Sequence, residues 1–294
     1  MDLQTYLKEQ KARVDAALDR FLPPEQEEPR VLHQAMRYTL FAGGKRLRPI
    51  LALAAFEAAG GTDDTRVMPL ACSLELIHTF SLIHDDLPAM DDDDYRRGKP
   101  ASHKVFGEGV AILAGDALFA AAFDVALQAP LPPEVLVRAL RELTWASGPE
   151  GMIGGQVEDL EAEGQPPTAE RVLRIHRKKT AALIASSLAL GGIAAQAPEV
   201  EVQILKEAGL AMGLAFQIVD DVLDEVASEQ DLGKKSHKDR ARGKCTYPRV
   251  FGLERAREDA RAYAQQAKEI LQRAFGPKSL RLQQIADFIV ERSY

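Results

Sequence analysis

The stretch Thr180-Ala181-Ala182-Leu183-Ile184-Ala185-Ser186-Ser187-Leu188-Ala189-Leu190-Gly191-Gly192-Ile193-Ala194-Ala195-Gln196-Ala197-Pro198 carries no charged side chain and follows Arg177-Lys178-Lys179. Its length approaches that of a bilayer span. Its content argues against one: it is rich in alanine, holds serine, glycine and glutamine, and is poor in large aliphatic side chains. A helix that is apolar on every side needs protein around it, so this run reads as the buried central helix of a large helical fold with no membrane span.

Composition agrees. Of 294 residues, 46% are hydrophobic and 28% charged, which is ordinary for a globular chain with a sizeable core. A net charge of -7 argues against a nucleic-acid surface. Cys72 and Cys245 form no CxxC pair, so neither a zinc site nor a disulfide framework is indicated, and a reducing cytoplasm fits. Met1-Asp2-Leu3-Gln4 lacks the basic and apolar regions of a secretion signal.

The rest of the chain reads as helices. Leu3, Leu7, Val14, Leu18 and Phe21 recur at helical spacing until Pro23-Pro24, and a second helix covers about 31–41. Further helices are expected over 50–59, from Met68 into the acidic stretch, over 109–127, around Trp145, from Gly154, and over 200–226. Thr168 is placed to cap the helix that leads to Lys179 and Thr180. Two more helices fill 253–293, joined near Gly276-Pro277, and no alternating strand pattern or fixed repeat is seen.

Three stretches carry chemistry. In Ala42-Gly43-Gly44-Lys45-Arg46-Leu47-Arg48-Pro49, two glycines end a helix and three cations follow in four residues. No strand precedes it and Lys45 is not followed by Ser or Thr, so it is no P-loop. Cations sit badly at a helix start, which favours a diphosphate clamp of Lys45 and Arg48. In His84-Asp85-Asp86-Leu87-Pro88-Ala89-Met90-Asp91, carboxylates crowd together before Asp92, Asp93, Asp94 and Arg96-Arg97. Hard oxygen ligands without cysteine suit Mg²⁺ or Mn²⁺. His78 lies seven residues before Asp85 on one helix face, and the break at Pro88 would let the chain fold back to return Asp91 to the same cation. In Phe216-Gln217-Ile218-Val219-Asp220-Asp221-Val222-Leu223-Asp224, Asp220 and Asp224 repel on one face unless something compensates them. Two acidic clusters on apolar helices, accompanied by basic groups, suggest a metal–diphosphate substrate with a greasy tail.

Taken with Arg96-Arg97-Gly98 and Lys179-Thr180, these stretches make the chain resemble, nearly end to end, the short-chain trans-polyprenyl diphosphate synthases of the bacterial farnesyl diphosphate synthase type. The resemblance implies one synthase domain over 1–294, built of antiparallel helices around a deep central cavity, and a homodimer. It implies Mg²⁺, three ions per site with Mn²⁺ as a substitute, held by Asp85, Asp86 and Asp91 on one side and Asp220, Asp221 and Asp224 on the other. Gly44, Lys45, Arg48, His78 and Arg97 would bind isopentenyl diphosphate; Arg96, Lys179 and Lys234 would bind dimethylallyl or geranyl diphosphate. Thr180 and Gln217, beside Lys179, would aim dipoles at an allylic cation, and the released diphosphate would take the final proton.

Product length turns on Phe80, which with Ser81 lies just before Asp85, about 7.5 Å up the helix axis. An aromatic there resembles the floor that stops the family's short members at fifteen carbons. A twenty-carbon synthase is the alternative, with a class I terpene cyclase or a non-catalytic regulatory subunit further off. Two departures stand out: His237 replaces a glycine of the family's loop after the second acidic motif, and Arg292 alone remains of a basic C-terminal tail.

Overall fold

A computed structural model describes residues 2–230 and 243–291, with side chains over 227–230 left out. Its helices are α1 (Leu3–Phe21), α2 (Arg30–Leu40), α3 (Leu47–Ala58), α4 (Met68–Asp85), α5 (Ser102–Phe106), α6 (Glu108–Leu127), α7 (Pro133–Ser147), α8 (Met152–Ala162), α9 (Ala169–Ile175), α10 (Ala182–Ala194), α11 (Glu199–Gln230), α12 (Tyr247–Phe251), α13 (Leu253–Phe275) and α14 (Leu280–Glu291). The all-α expectation holds. The chain divides into two compact units, Met1–Leu53 with Asp63–Leu140 and Ala54–Thr62 with Arg141–Tyr294.

In the first unit α4 is the spine. Leu70, Leu74, Leu76, Ile77 and Ile83 are fully buried along it, and α1, α2 and α6 pack against it. Asp2 caps α1 by accepting the Thr5 N–H at 3.0 Å; α1 buries Val14 and Leu18 as its spacing predicts, and Tyr6 with them, while Leu3, Leu7 and Phe21 are half-buried. After α4 comes one element that the sequence reading did not foresee. Tyr95–Arg96 pairs antiparallel with Lys99–Pro100, and Arg96 stands opposite Lys99. The two-residue turn between them has positive φ at both positions, 54° at Arg97 and 77° at Gly98, as a tight hairpin of this length favours. Two-residue strands are too short to show any alternation.

By length and composition alone, three helices are apolar enough to cross a membrane: Asp64–Asp85, Glu108–Leu127 and Glu199–Val226. In two of them most of the apolar window is buried, 72% and 61%, whereas α6 buries only 39% of its window. Leu113, Leu127 and Ile112 stand exposed on α6.

In the second unit every residue of α10 is buried. Leu183, Ile184, Leu188, Leu190 and Ile193 are at most 2% exposed, each worth about 2 kcal/mol on burial. Its two serines are satisfied inside the core: Ser187 Oγ donates to the Leu183 carbonyl at 2.8 Å, and Ser186 Oγ donates to Glu142. α11 packs along α10 on one side and α13 on another, and α14 closes against both α11 and α13. A π-helical turn, His176–Ala181, joins α9 to α10.

Candidate active site

The first acidic cluster is built at the C-terminus of α4. Past Asp85 the helix cannot continue through Pro88, and the freed backbone groups rebond locally. Leu87 N–H donates to the His84 carbonyl at 3.1 Å, Asp92 N–H to the Leu87 carbonyl at 3.0 Å, and Asp91 N–H to the Asp85 carbonyl at 2.7 Å. The chain therefore folds back and sets Asp91 beside Asp85, both half-buried. Asp86 turns the other way. It is 1% exposed, and its Oδ1 accepts two hydrogen bonds from the Arg96 guanidinium, one from Nε at 2.9 Å. Burial pushes its carboxyl up from the ordinary value, against the pull of Arg96.

The glycine–cation loop lies in the same unit. Of its three cations, Lys45 is exposed, Arg48 is half-buried in the first turn of α3, and Arg46 is turned inward at 2% exposure. Arg97 donates to the Gly43 carbonyl. Its guanidinium lies 2.8 Å from where a Cβ at Gly44 would stand, and Gly44 has φ 124°, so a side chain at 44 would meet both a clash and a strained backbone. His78, half-buried, is held well below the ordinary imidazole value by burial first, then by the positive field of Arg48, Arg97 and Arg96. It is therefore a neutral ring at pH 7. Ser81 bonds back to the His78 carbonyl at 2.9 Å. Phe80, 9% exposed, meets the His84 ring edge-on with centroids 4.8 Å apart, and the Phe119 ring of α6 at 5.0 Å.

The other expected residues lie in the second unit. The π turn presents Lys179 and Thr180. Gly155 of α8 permits the close approach: a Cβ there would stand 2.2 Å from the Lys179 backbone nitrogen. Lys179 Nζ pairs with Asp159 at 2.6 Å. Thr180 Oγ1 donates to Gln217 Oε1 at 2.5 Å, and Gln217 Nε2 donates to Asp221 Oδ1 at 2.9 Å. Asp221 Oδ2 accepts the Tyr247 N–H at 2.7 Å and lies 3.1 Å from His176 Nε2. Asp221 is 8% exposed, while Asp220 is half-buried and Asp224 exposed.

The expected residues thus sort by unit, and within each acidic pair one aspartate is drawn inward. Asp86, through Oδ1, and Asp221, through both oxygens, accept hydrogen bonds from protein donors, so each is anchored within its own unit. Asp85, Asp91 and Asp220 keep the half-exposed positions that a cation bound with water needs. Arg96 and Lys179, expected on the allylic diphosphate, are engaged with Asp86 and Asp159. Lys234, His237 and Arg292 lie outside the described residues. Sequence reasoning missed Asp159, His176, Tyr247 and the inward role of Arg46. A further group, Asp92, Asp94 and buried His103, brings its ligand atoms within 4.8 Å of one another, but Lys104 already pairs with Asp94 at 2.8 Å.

The polyprenyl synthetase family model matches residues 29–285. A chloroplastic geranylgeranyl pyrophosphate synthase of Capsicum annuum is 45% identical over 99% of this chain and 79% of its own length. A geranylgeranyl diphosphate synthase of Cyanophora paradoxa is 44% identical over 99% of this chain and 97% of its own. Among solved structures, an FPP/GFPP synthase of Zymomonas mobilis superposes with a TM-score of 0.87 at 36% identity, covering 98% of both chains. A geranyltransferase of Helicobacter pylori, complexed with magnesium and isoprenyl diphosphate, has a TM-score of 0.87 at 32% identity over 99% of this chain and 98% of its own. The curated relatives move the resemblance away from the bacterial farnesyl type toward the family at large. With both acidic motifs and the glycine–cation loop in place, the chain belongs to the polyprenyl synthetase family and is a prenyltransferase that elongates prenyl diphosphates.

Proposed function

We propose that this chain condenses isopentenyl diphosphate with allylic diphosphates, head to tail, up to a twenty-carbon product. The reading rests on one observation above others: the fold-back at Pro88 that sets Asp91 beside Asp85 at the mouth of the α4 spine. Two half-buried carboxylates carried on one tight fold-back offer the oxygen donors that a hydrated cation takes. An all-oxygen donor set fits Mg²⁺, with Mn²⁺ as a substitute, and the family's three-ion arrangement would draw on Asp85, Asp91 and Asp220. When bound, Mg²⁺ neutralises the diphosphate as it leaves.

The protein's own groups do the rest. Lys45, Arg48 and Arg97 hold the diphosphate of isopentenyl diphosphate, and neutral His78 donates a hydrogen bond without adding charge. Arg96, Lys179 and Lys234 hold the allylic diphosphate, so Arg96 and Lys179 share or exchange Asp86 and Asp159 when substrate arrives. Thr180 and Gln217 turn oxygen dipoles toward the allylic carbon as positive charge develops there. No side chain is assigned as base; the departed diphosphate accepts the proton lost from the new prenyl unit. Water must be kept out throughout, because the cation would be quenched.

The curated relatives support twenty carbons. Phe80 favours a second reading of fifteen, since a bulky ring close above Asp85 would stop the tail early. The deciding experiment incubates the purified chain with labelled isopentenyl diphosphate, Mg²⁺ and dimethylallyl or geranyl diphosphate, then separates the dephosphorylated alcohols by length. A dominant twenty-carbon alcohol supports the proposal, fifteen carbons supports Phe80 as the floor, and no condensation overturns both. We also propose that a second copy of the chain covers the exposed apolar face of α6, giving a homodimer.

A further inference from the structure

Lys45, Arg46 and Arg48 form one run of positive charge in the sequence. The structure separates them. Arg46 is 2% exposed, and all its polar reach is spent inside the first unit: Nε donates to Asp15 Oδ1 of α1 at 2.7 Å, Nη1 to Glu75 Oε1 of α4 at 2.8 Å, and Nη2 to the Leu40 carbonyl at the end of α2 at 2.7 Å. Glu75 is itself 2% exposed. One guanidinium thus ties the loop to three helices at once.

We infer that Arg46 is a positioning residue for the isopentenyl diphosphate pocket: by anchoring the loop from within, it sets where Lys45 and Arg48 stand. Three observations carry this. First, a buried ion pair adds little net stability compared with apolar residues of the same shape, because desolvation offsets attraction; what it supplies is a definite geometry. The planar fork of arginine matches three acceptors in fixed directions, which no other side chain does. Second, Arg46 has φ 52°, a left-handed backbone that a non-glycine residue holds only where its surroundings enforce it. That turn follows directly on Gly43 and Gly44, with φ of 113° and 124°, and leads into α3 at Leu47. Third, the loop is gripped from a second direction by Arg97, which donates to the Gly43 carbonyl and packs over Gly44. The backbone between two such anchors has little freedom, so the side chains on either side of Arg46 inherit a fixed direction. Glu75 also lies one turn before His78 on α4, so the same carboxylate ties the loop to the helix that carries another residue of that pocket.

The inference rests on the proposed roles of Lys45 and Arg48, and the test separates the two. Steady-state kinetics are measured on the whole protein for Arg46→Gln, Arg46→Lys, Asp15→Asn, Lys45→Ala and Arg48→Ala, varying isopentenyl diphosphate and geranyl diphosphate in turn. Arg46→Gln is expected to raise KM for isopentenyl diphosphate about tenfold while leaving KM for the allylic substrate within about twofold, since displacement of a binding group by a fraction of its reach weakens only what it binds. Arg46→Lys should recover part of that loss. Asp15→Asn, which removes the charge from one of three anchors and leaves the core intact, should show the same selective rise on a smaller scale should Arg46→Gln fail to fold. If Lys45→Ala and Arg48→Ala raise KM for isopentenyl diphosphate but Arg46→Gln and Asp15→Asn do not, the inference is overturned alone. If Lys45→Ala and Arg48→Ala leave that KM unchanged, the clamp itself is overturned and the inference with it.

Discussion

Asp86 and Arg96 form a pair in which the carboxylate is 1% exposed and the guanidinium donates two hydrogen bonds to a single oxygen, Oδ1. The second unit repeats the arrangement with Asp221, which is buried and held by Gln217, His176 and the Tyr247 backbone. In both acidic pairs the second aspartate is a structural anchor, and its neighbour in sequence is half-buried. Asp85→Ala and Asp220→Ala should therefore each lower turnover about a thousandfold, the several kcal/mol a bound cation contributes to charge stabilisation, with melting temperatures near wild type. Asp86→Ala should instead lower stability by about 2 kcal/mol, below the figure for a fully buried pair because Arg96 remains 29% exposed beside Asp93. Denaturant unfolding beside the kinetic assay tells the two classes apart; a stable, inactive Asp86→Ala would reverse the assignment.

The chain of hydrogen bonds Thr180–Gln217–Asp221 predicts a graded series. Thr180→Val removes the donor to Gln217 and one dipole, and should lower kcat about tenfold with the KM of either substrate little changed. Asp221→Asn leaves the Tyr247 N–H and His176 short of an acceptor, so it should lower both kcat and thermal stability. Equal KM increases in Thr180→Val would point to substrate binding rather than cation stabilisation.

Phe80 is wedged between His84 and Phe119, so the barrier it offers is a pair of rings rather than one. On the fifteen-carbon reading, Phe80→Ala should lengthen the product by at least one five-carbon unit and Phe119→Ala should lengthen it less, by loosening the ring that braces Phe80; on the twenty-carbon reading neither changes it. Chain-length analysis of the alcohols reads both. An unchanged profile in Phe80→Ala removes it as the floor and leaves the twenty-carbon reading standing.

Asp15 links α1 to the loop, and its carboxyl lies below the ordinary range: burial works against the charge, but hydrogen bonds from Lys11 and Arg46 outweigh it. A depressed folded-state value means that the contribution to stability is present above the unfolded value of about 3.9 and is lost as pH falls through the lower folded value. Wild type should therefore lose more stability than Asp15→Asn over that acidic window, and the two should run parallel near neutrality. Melting curves across the window give the answer directly; parallel curves throughout would mean that Asp15 contributes no linkage.

Leu113 on α6 is 60% exposed, beside exposed Ile112. In the proposed homodimer, Leu113→Asp should shift the protein toward monomer in light scattering coupled to size exclusion, because a charge there would be buried by a second copy. An unshifted dimer would place the interface elsewhere.

The long helices and the acidic motifs were legible in the residues themselves; short α5 and α12 and the π turn were not. Periodicity marks α1 and α4, Pro23 and Pro88 stop them, and Thr168 caps α9 as its position predicts, accepting the Arg171 N–H at 3.3 Å. These are local effects: the residues that cause them lie within a turn or two of their consequence. The hairpin at Arg97-Gly98 escaped because its strands are too short to alternate. What only the tertiary structure decided is which member of each charged run turns inward. Lys45, Arg46 and Arg48 are equivalent as a string, as are Asp85 and Asp86, or Asp220 and Asp221. The choice of Arg46, Asp86 and Asp221 depends on partners far away in the chain: Asp15 and Glu75, Arg96, and His176 with Tyr247. A charge can be buried only where such a partner is already in place, and no local pattern records that.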